Sequence, residues 1–186
     1  SNNPSRFEGD QRPVERVSFD DVEQFLSRLS GLISGLHPQL PTEAQWEYAC
    51  RAGTTDPFSF GQSITTDQAN FNGNYSYRNT EKGVYRETTV DVKLLPRNNW
   101  GLYQMHGNVW EWCADGFGEY TAEPQINPYC RDVGSRRVVR GGSWFNLARI
   151  VRSACRFRFD PGFRDDFLGF RLLGSAGPVT QGMPSK

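Results

Sequence analysis

Two short stretches of the chain carry a helical hydrophobic period, and almost nothing after them does. Val22, Phe25, Leu26 and Leu29 follow the i, i+3, i+4, i+7 rule. Ser18 ahead of them, with Asp20 and Asp21 in the first turn, supplies a cap and acids that suit a helix start. The spacing predicts an amphipathic helix ending between Gly31 and Gly35. A second helix is predicted to open at Pro41-Thr-Glu-Ala-Gln45, where Thr42 and Gln45 stand at capping-box spacing, Trp46 and Cys50 share a face, and Gly53 supplies the stop. From Gly53 to Asn99 the period vanishes into Gly, Asn, Thr, Ser and Tyr, which excludes long helices. So long an irregular stretch in a compact domain points to ligand or metal contact. Short strands are predicted over 107–112, 137–140, 151–159 and 167–173, and a flexible polar tail over 174–186. The class is α+β.

The stretch 152–159 is the most informative of these. Strand side chains alternate between faces. Arg152, Ala154, Arg156 and Arg158 fall on one side; Ser153, Cys155, Phe157 and Phe159 fall on the other. Five of the thirteen phenylalanines, Phe145, Phe157, Phe159, Phe163 and Phe167, interleave here with charges and turn residues. Phe163 and Phe167 flank Arg164-Asp-Asp166 in a Pro-Gly loop, a poor place to bury rings. The five rings are therefore expected at the surface, as an apolar patch larger than a monomer normally leaves in water.

Composition narrows the function. The chain has 186 residues, enough for one domain with a real core, and its 19 glycines, 11 prolines and 5 tryptophans suit a loop-rich fold. Net charge is zero, yet ten of the eighteen arginines lie between Arg131 and Arg171, with four acids and no lysine. The five-donor guanidinium suits buried bonds to carboxylates and carbonyls, and the lack of lysine argues against a nucleic-acid patch. Four cysteines without a C-x-x-C pair and only two histidines, His37 and His106, argue against zinc, and nothing local supports a Cys–His nucleophile. No apolar run reaches the roughly 18 residues of a membrane span. The polar start, Ser1-Asn-Asn-Pro-Ser-Arg-Phe7, carries no expected signal peptide. A monomer is expected.

Four segments, Leu40-Pro-Thr-Glu-Ala-Gln-Trp-Glu-Tyr-Ala-Cys-Arg-Ala-Gly53, Gly101-Leu-Tyr-Gln-Met-His-Gly-Asn-Val-Trp-Glu-Trp112, Arg140-Gly-Gly-Ser-Trp144 and Gly169-Phe-Arg171, together resemble the formylglycine-generating enzyme (sulfatase-modifying factor) family. The resemblance runs from about Asn3 to Leu173. It implies a single domain over 1–173 with the C-type lectin fold of that subtype: two helices, short twisted strands and much irregular structure. Enzymatic members oxidise a sulfatase cysteine with a copper-binding Cys-x-x-x-x-Cys pair. Counted back from Pro161, those places hold Ala148 and Ser153, neither of which forms a thiolate. The resemblance thus implies a chain that is not an enzyme and needs no cofactor. Calcium is the one ion it leaves open, through oxygens of Asn70 and the Asn108 region, against the cation Lys82. Cys50 and Cys113 are candidates to lie near each other.

The C-terminal segment, about 140–173, also resembles the variable repeat of proteins diversified by retroelements, which share the lectin fold. The frame reads Arg-Gly-Gly-Ser-Trp, Ala-Arg, Arg-Ser-Ala and a terminal Gly-Phe-Arg. The gaps hold Phe145, Asn146, Leu147, Ile150, Cys155, Phe157, Phe159, Asp160, Phe163, Asp165, Asp166 and Phe167. Adenine mutagenesis of AAC codons leaves codons ending in C, which cannot encode Lys, Glu, Gln, Met or Trp, and none of these occurs at the gaps. The resemblance implies a hypervariable ligand-binding protein of viral or prophage origin, placed on a cell surface, secreted or on a virion. Its partner would be a protein with an exposed apolar surface, met by a Phe-rich face with an acidic spot at Asp160, Asp165 and Asp166. The alternative is a divergent oxidase or peptide-maturation enzyme of the same fold.

Overall fold

The computed structural model describes residues 3–78, 80–131 and 134–176. Both helices form where their caps place them. Helix α1 spans Phe19–Leu32, with Ser18 and Asp21 closing a reciprocal capping box, and α2 spans Glu43–Arg51, with Thr42 and Gln45 doing the same. The α2 stop comes one residue earlier than Gly53, at Ala52, whose backbone is already left-handed. On α1 the predicted stripe is only half used. Val22 is buried and Leu26 and Leu29 are half-buried, Leu26 against the core, whereas Phe25 is exposed and meets Phe170 edge-on at 5.6 Å; Phe19, one turn before the stripe, is buried as well.

The strands are short: β1 Leu36–Gln39, β2 Trp110–Gly116, β3 Arg137–Arg140, β4 Arg156–Phe159, β5 Leu168–Phe170 and β6 Leu173–Ala176. Four of them form a sheet in the order β4-β3-β2-β5, antiparallel except for the parallel pair β2–β5. β1 and β6 form a separate antiparallel pair. No strand pattern marks β1, because Pro38 sits inside it; proline is tolerated on such an edge, where its missing N–H breaks no interior ladder. The tail expected to fray from 174 is corrected for its first three residues, since Gly174, Ser175 and Ala176 pair with Pro38, His37 and Leu36. The rest of that tail, 177–186, lies outside the described residues.

The strand expected over 151–159 is also corrected. Only Arg156–Phe159 is extended; Ala148–Ile150 is a 3-10 turn and 151–154 bends. The cause is Arg140, whose guanidinium takes the carbonyls of Ser153, Ala154 and Cys155 at 2.9, 3.3 and 2.8 Å. Carbonyls bonded to a side chain are not available to a ladder.

Three apolar clusters make the core. One lies between α1 and the sheet and holds Val17, Phe19, Val22, Leu40, Trp110, Trp112, Val139 and Leu168. Burying a large apolar side chain there contributes roughly 1.5–3 kcal/mol, and the indole N–H of Trp112 keeps a partner by donating to the Val17 carbonyl at 3.0 Å. A second cluster, around Trp46, Cys50, Met105, Cys113 and Val138, fills the space under α2. A third, with Phe58, Ile64, Ala69, Phe71, Ala148 and Val151, explains how the long irregular region stays folded: it carries its own core. Asn70 and Asn108 tie that region to β2. The Asn70 amide donates to Asn108 Oδ1 at 3.1 Å and to the Thr88 carbonyl at 2.9 Å, and Asn108 bonds both backbone groups of Val90. At Gly107, with φ +94°, an added Cβ would lie 2.2 Å from the Asn70 carbonyl oxygen, so only glycine fits the crossing. Among the described residues no helix is long and apolar enough to cross a membrane.

Candidate functional site

The arginine-rich segment builds a frame. Arg140 is fully buried, over the Trp46 ring, with carboxylates of Glu47 (in direct contact) and Glu43 (3.6 Å) beside it. Arg156 forks onto Glu43, Nε to Oε1 at 2.7 Å and Nη2 to Oε2 at 2.5 Å. Arg171 forks onto Glu111 at 2.9 and 2.8 Å and also donates to the Tyr103 carbonyl, while the indole of Trp46 donates to the same Glu111 at 2.7 Å. Bidentate pairs of this kind fix orientation as well as charge. The reading of these arginines as partners of carboxylates and carbonyls holds.

Alternation along β4 puts the rings opposite that frame. Arg156 and Arg158 lie against Phe117, each guanidinium within 4.3 Å of the ring centroid, while Phe157 and Phe159 turn to the other side. There the five phenylalanines form one contiguous surface. Phe157 meets Phe159 at 5.3 Å, Phe159 stacks on Phe163 at 4.5 Å, Phe163 meets Phe167 at 6.1 Å, and Phe167 meets Phe145 at 4.8 Å. Only two of the rings are exposed, Phe145 at 37 % and Phe157 at 51 %. The expectation of five surface rings is corrected for the other three: Phe159, Phe163 and Phe167 are half-buried and pack on the α1–sheet core, with Phe159 edge-on to Trp112 at 6.3 Å. The loop 160–167 folds back over the sheet because its backbone is tied to the N-terminal segment, Phe19 N–H to the Pro161 carbonyl and Arg16 N–H to the Asp165 carbonyl.

The remaining gap positions divide in the same way. Leu147 and Ile150 are half-buried, and Ile150 packs on the core. Asn146 is also half-buried, and its Oδ1 closes a turn by accepting from the Ser143 N–H at 2.9 Å and hydroxyl at 2.8 Å. Cys155 is half-buried, and burial pushes its thiol up from the ordinary range. Asp160 is exposed beside Arg136 at 3.4 Å, and Asp165 accepts the Asp166 N–H at 2.8 Å. Asp166 corrects the expected acidic spot. It is buried and paired with Arg6 at 2.5 Å, in the neighbourhood of fully buried Glu15, whose carboxyl is pushed up chiefly by burial. Two aromatic residues that sequence reasoning missed extend the surface through Trp144: Phe7 edge-on at 5.7 Å and Tyr85 stacked at 6.2 Å. They arrive from distant loops, so no local pattern marks them.

The residues do not fit copper at the places implied by the family. Ala148 and Ser153 are both buried, and the Ser153 hydroxyl is used by the Cys50 thiol at 3.6 Å. Cys50 and Cys113 do share the cluster under α2, as free thiols, and burial pushes Cys50 up to about 12 and Cys113 well above its usual range. Soft-metal binding needs thiolates. His106 sits 3.8 Å from Cys50 but is held neutral, its Nδ1–H donating to the Val151 carbonyl and its Nε2 accepting the Ser59 N–H; burial lowers it to about 4. Both groups are inside the core, so the pair serves packing. For calcium, the orphaned oxygen Asn70 Oδ1 is a single donor, where that ion takes six to eight. No group of three or more His, Cys, Asp or Glu suited to a metal occurs among the described residues.

Residues 2–176 match the sulfatase-modifying factor enzyme 1-like domain. The chain is 37 % identical over 147 residues to the serine/threonine-protein kinase pkn1 of Chlamydia caviae, covering 76 % of this chain and 22 % of the kinase. It is 33 % identical over 174 residues to the formylglycine-generating enzyme of Streptomyces coelicolor, covering 88 % of this chain and 53 % of the enzyme. It therefore spans about half or less of these curated relatives. Among solved structures, Treponema denticola variable protein 1 superposes with a TM-score of 0.77 at 28 % identity, covering 94 % of this chain and 78 % of the other. With its two capped helices, short strands and ordered loops in that shared α+β, C-type lectin-like arrangement, the chain belongs to the sulfatase-modifying factor enzyme 1-like family.

Proposed function

We propose that this chain is a non-enzymatic binding protein whose ligand surface is the phenylalanine face, and that the twelve gap positions within 140–173 are diversified by a retroelement through adenine mutagenesis. The observation that carries the reading is the division across β4: an arginine frame bonded to carboxylates and carbonyls on one side, and a continuous aromatic surface with Phe145 and Phe157 exposed on the other. The likeness to a Treponema variable protein supports it. So does the occupation of the implied copper places by Ala148 and Ser153. Large, rigid rings are the side chains that most often dominate protein interfaces, because they exclude much water for little lost rotamer freedom. The ligand is a protein with an exposed apolar surface, met by a monomer displayed at a cell surface, secreted or carried on a virion.

Two experiments test this. A pull-down against candidate host surface proteins, repeated with a Phe145→Asn/Phe157→Asn double variant, should lose its ligand while melting is preserved. Retention of every ligand by that variant overturns the reading. Genomic sequence should hold an adenine-rich template repeat beside a reverse-transcriptase gene, and its absence removes the diversification. The identity to the Streptomyces enzyme favours a second reading, a divergent oxidase. Copper-dependent oxygen consumption with a cysteine-containing sulfatase peptide would support it; none is expected.

A further inference from the structure

The arginine side of β4 opens on a second feature. Between α2 and the loop 118–130 lies a groove of about 780 Å³, inside the roughly 300–1,000 Å³ range of ligand pockets. None of its lining residues is among the twelve gap positions. Five carboxylates face two guanidiniums there, so the groove is negative. The three acids of the floor are engaged: Glu43 by Arg156, Glu47 by Arg51 and Arg140, and Asp115 by the N–H groups of Glu43 and Cys130. The rim acids Glu119 and Glu123 are exposed and form no ion pair among the described residues. Tyr48 and Tyr120 line the same groove and are two-thirds exposed, at 68 % and 67 %, Tyr48 with one edge against Trp100 at 4.8 Å.

The groove already contains one worked example of what it can hold. The guanidinium of Arg156 lies 4.2 Å from the Tyr120 ring centroid and 4.2 Å from that of Phe117, with two of its nitrogens forked onto Glu43. Ring plus carboxylate is the combination that suits a planar, weakly hydrated cation. The rim carries the same two kinds of group, exposed tyrosine side chains and carboxylates outside any ion pair among the described residues. We propose that the groove is a second binding site, common to all variants of the opposite face, which takes an arginine-bearing peptide segment. Lysine fits less well, because its compact ammonium is strongly hydrated and cannot fork onto a carboxylate.

Fluorescence anisotropy with a labelled tetra-arginine peptide at low salt tests this, with tetra-lysine and tetra-glutamate peptides as controls. Saturable binding of tetra-arginine is expected, with tetra-lysine about tenfold weaker. Glu119→Gln/Glu123→Gln and Tyr48→Ala should each weaken it by about tenfold, with melting unchanged because all three side chains are exposed. Phe157→Asn should leave it as it was, which separates this site from the phenylalanine face. Absence of saturable binding, equal affinity for tetra-lysine, or indifference to the groove variants overturns the proposal. So does loss of binding in Phe157→Asn alone, which would place the peptide on the variable side.

Discussion

The two faces of β4 are four residues long and one side chain apart, yet they do opposite work. On one, Arg156 is locked by Glu43 and the Gly118 carbonyl, and its neighbour Arg140 is fully buried among Glu43, Glu47 and three backbone carbonyls. On the other, Phe157 is half in water and touches other rings with no polar partner to lose. Buried charge is costly to leave unpaired, so the first face fixes its residue types. An exposed ring has little to forfeit, so the second leaves them open. The graded burial of the five phenylalanines adds that the open face is not uniformly free: Phe159, Phe163 and Phe167 double as the edge of the core.

Substitutions can break or sharpen that contrast. The largest effect is expected at Arg140→Ala, which leaves three buried carbonyls without their donor and takes one of two arginines from each of Glu43 and Glu47, and should cost about 3–5 kcal/mol in denaturant unfolding; a loss under about 1 kcal/mol would dissolve the frame. Next comes the buried histidine. His106 titrates at about 4 when folded, against about 6.5 in the unfolded chain. The unfolded state thus binds the proton first, and the stability this contributes is complete above pH 6.5 and declines as pH falls toward 4, by up to about 3 kcal/mol. An NMR titration of the two imidazoles checks it, and a His106 midpoint near 6.5 would contradict the buried, neutral ring.

Trp144→Ala should cost about 2 kcal/mol, less than a fully buried tryptophan, because the ring is half-buried between Phe7, Tyr85 and Phe145. The smallest pair is the most telling. Phe163→Asn should lower stability by about 1–2 kcal/mol, since it unstacks from Phe159. Phe157→Asn should stay within about 0.5 kcal/mol of the parent. The sequence alone places both rings at the surface; equal, large losses would make the whole face core.

Local chemistry wrote part of this protein legibly. Ser18 with Asp21, and Thr42 with Gln45, define two helix starts from neighbours three residues apart. The arginines announced carboxylate and carbonyl partners by their type. Alternation separates Phe157 from Arg156 on sequence grounds, because a strand's side chains point in turn to either side. The partners themselves could not be read. Glu43 lies 113 residues from Arg156, and Glu111 lies 60 from Arg171. Nor could β1 be seen through Pro38, or the bend at 151–154, which a side chain from another strand imposes.

The sequence by itself determined the two helices, the loop-rich α+β class and the mixture of fixed and open residue types in the last third, since capping, alternation and donor geometry act over a few residues. Tertiary structure decided which open positions face water. It brought Arg6 to Asp166 and Phe7 to Trp144, turning one acid and one ring into supports. Burial depends on what the rest of the chain lays over a residue, and that information is spread over the whole fold.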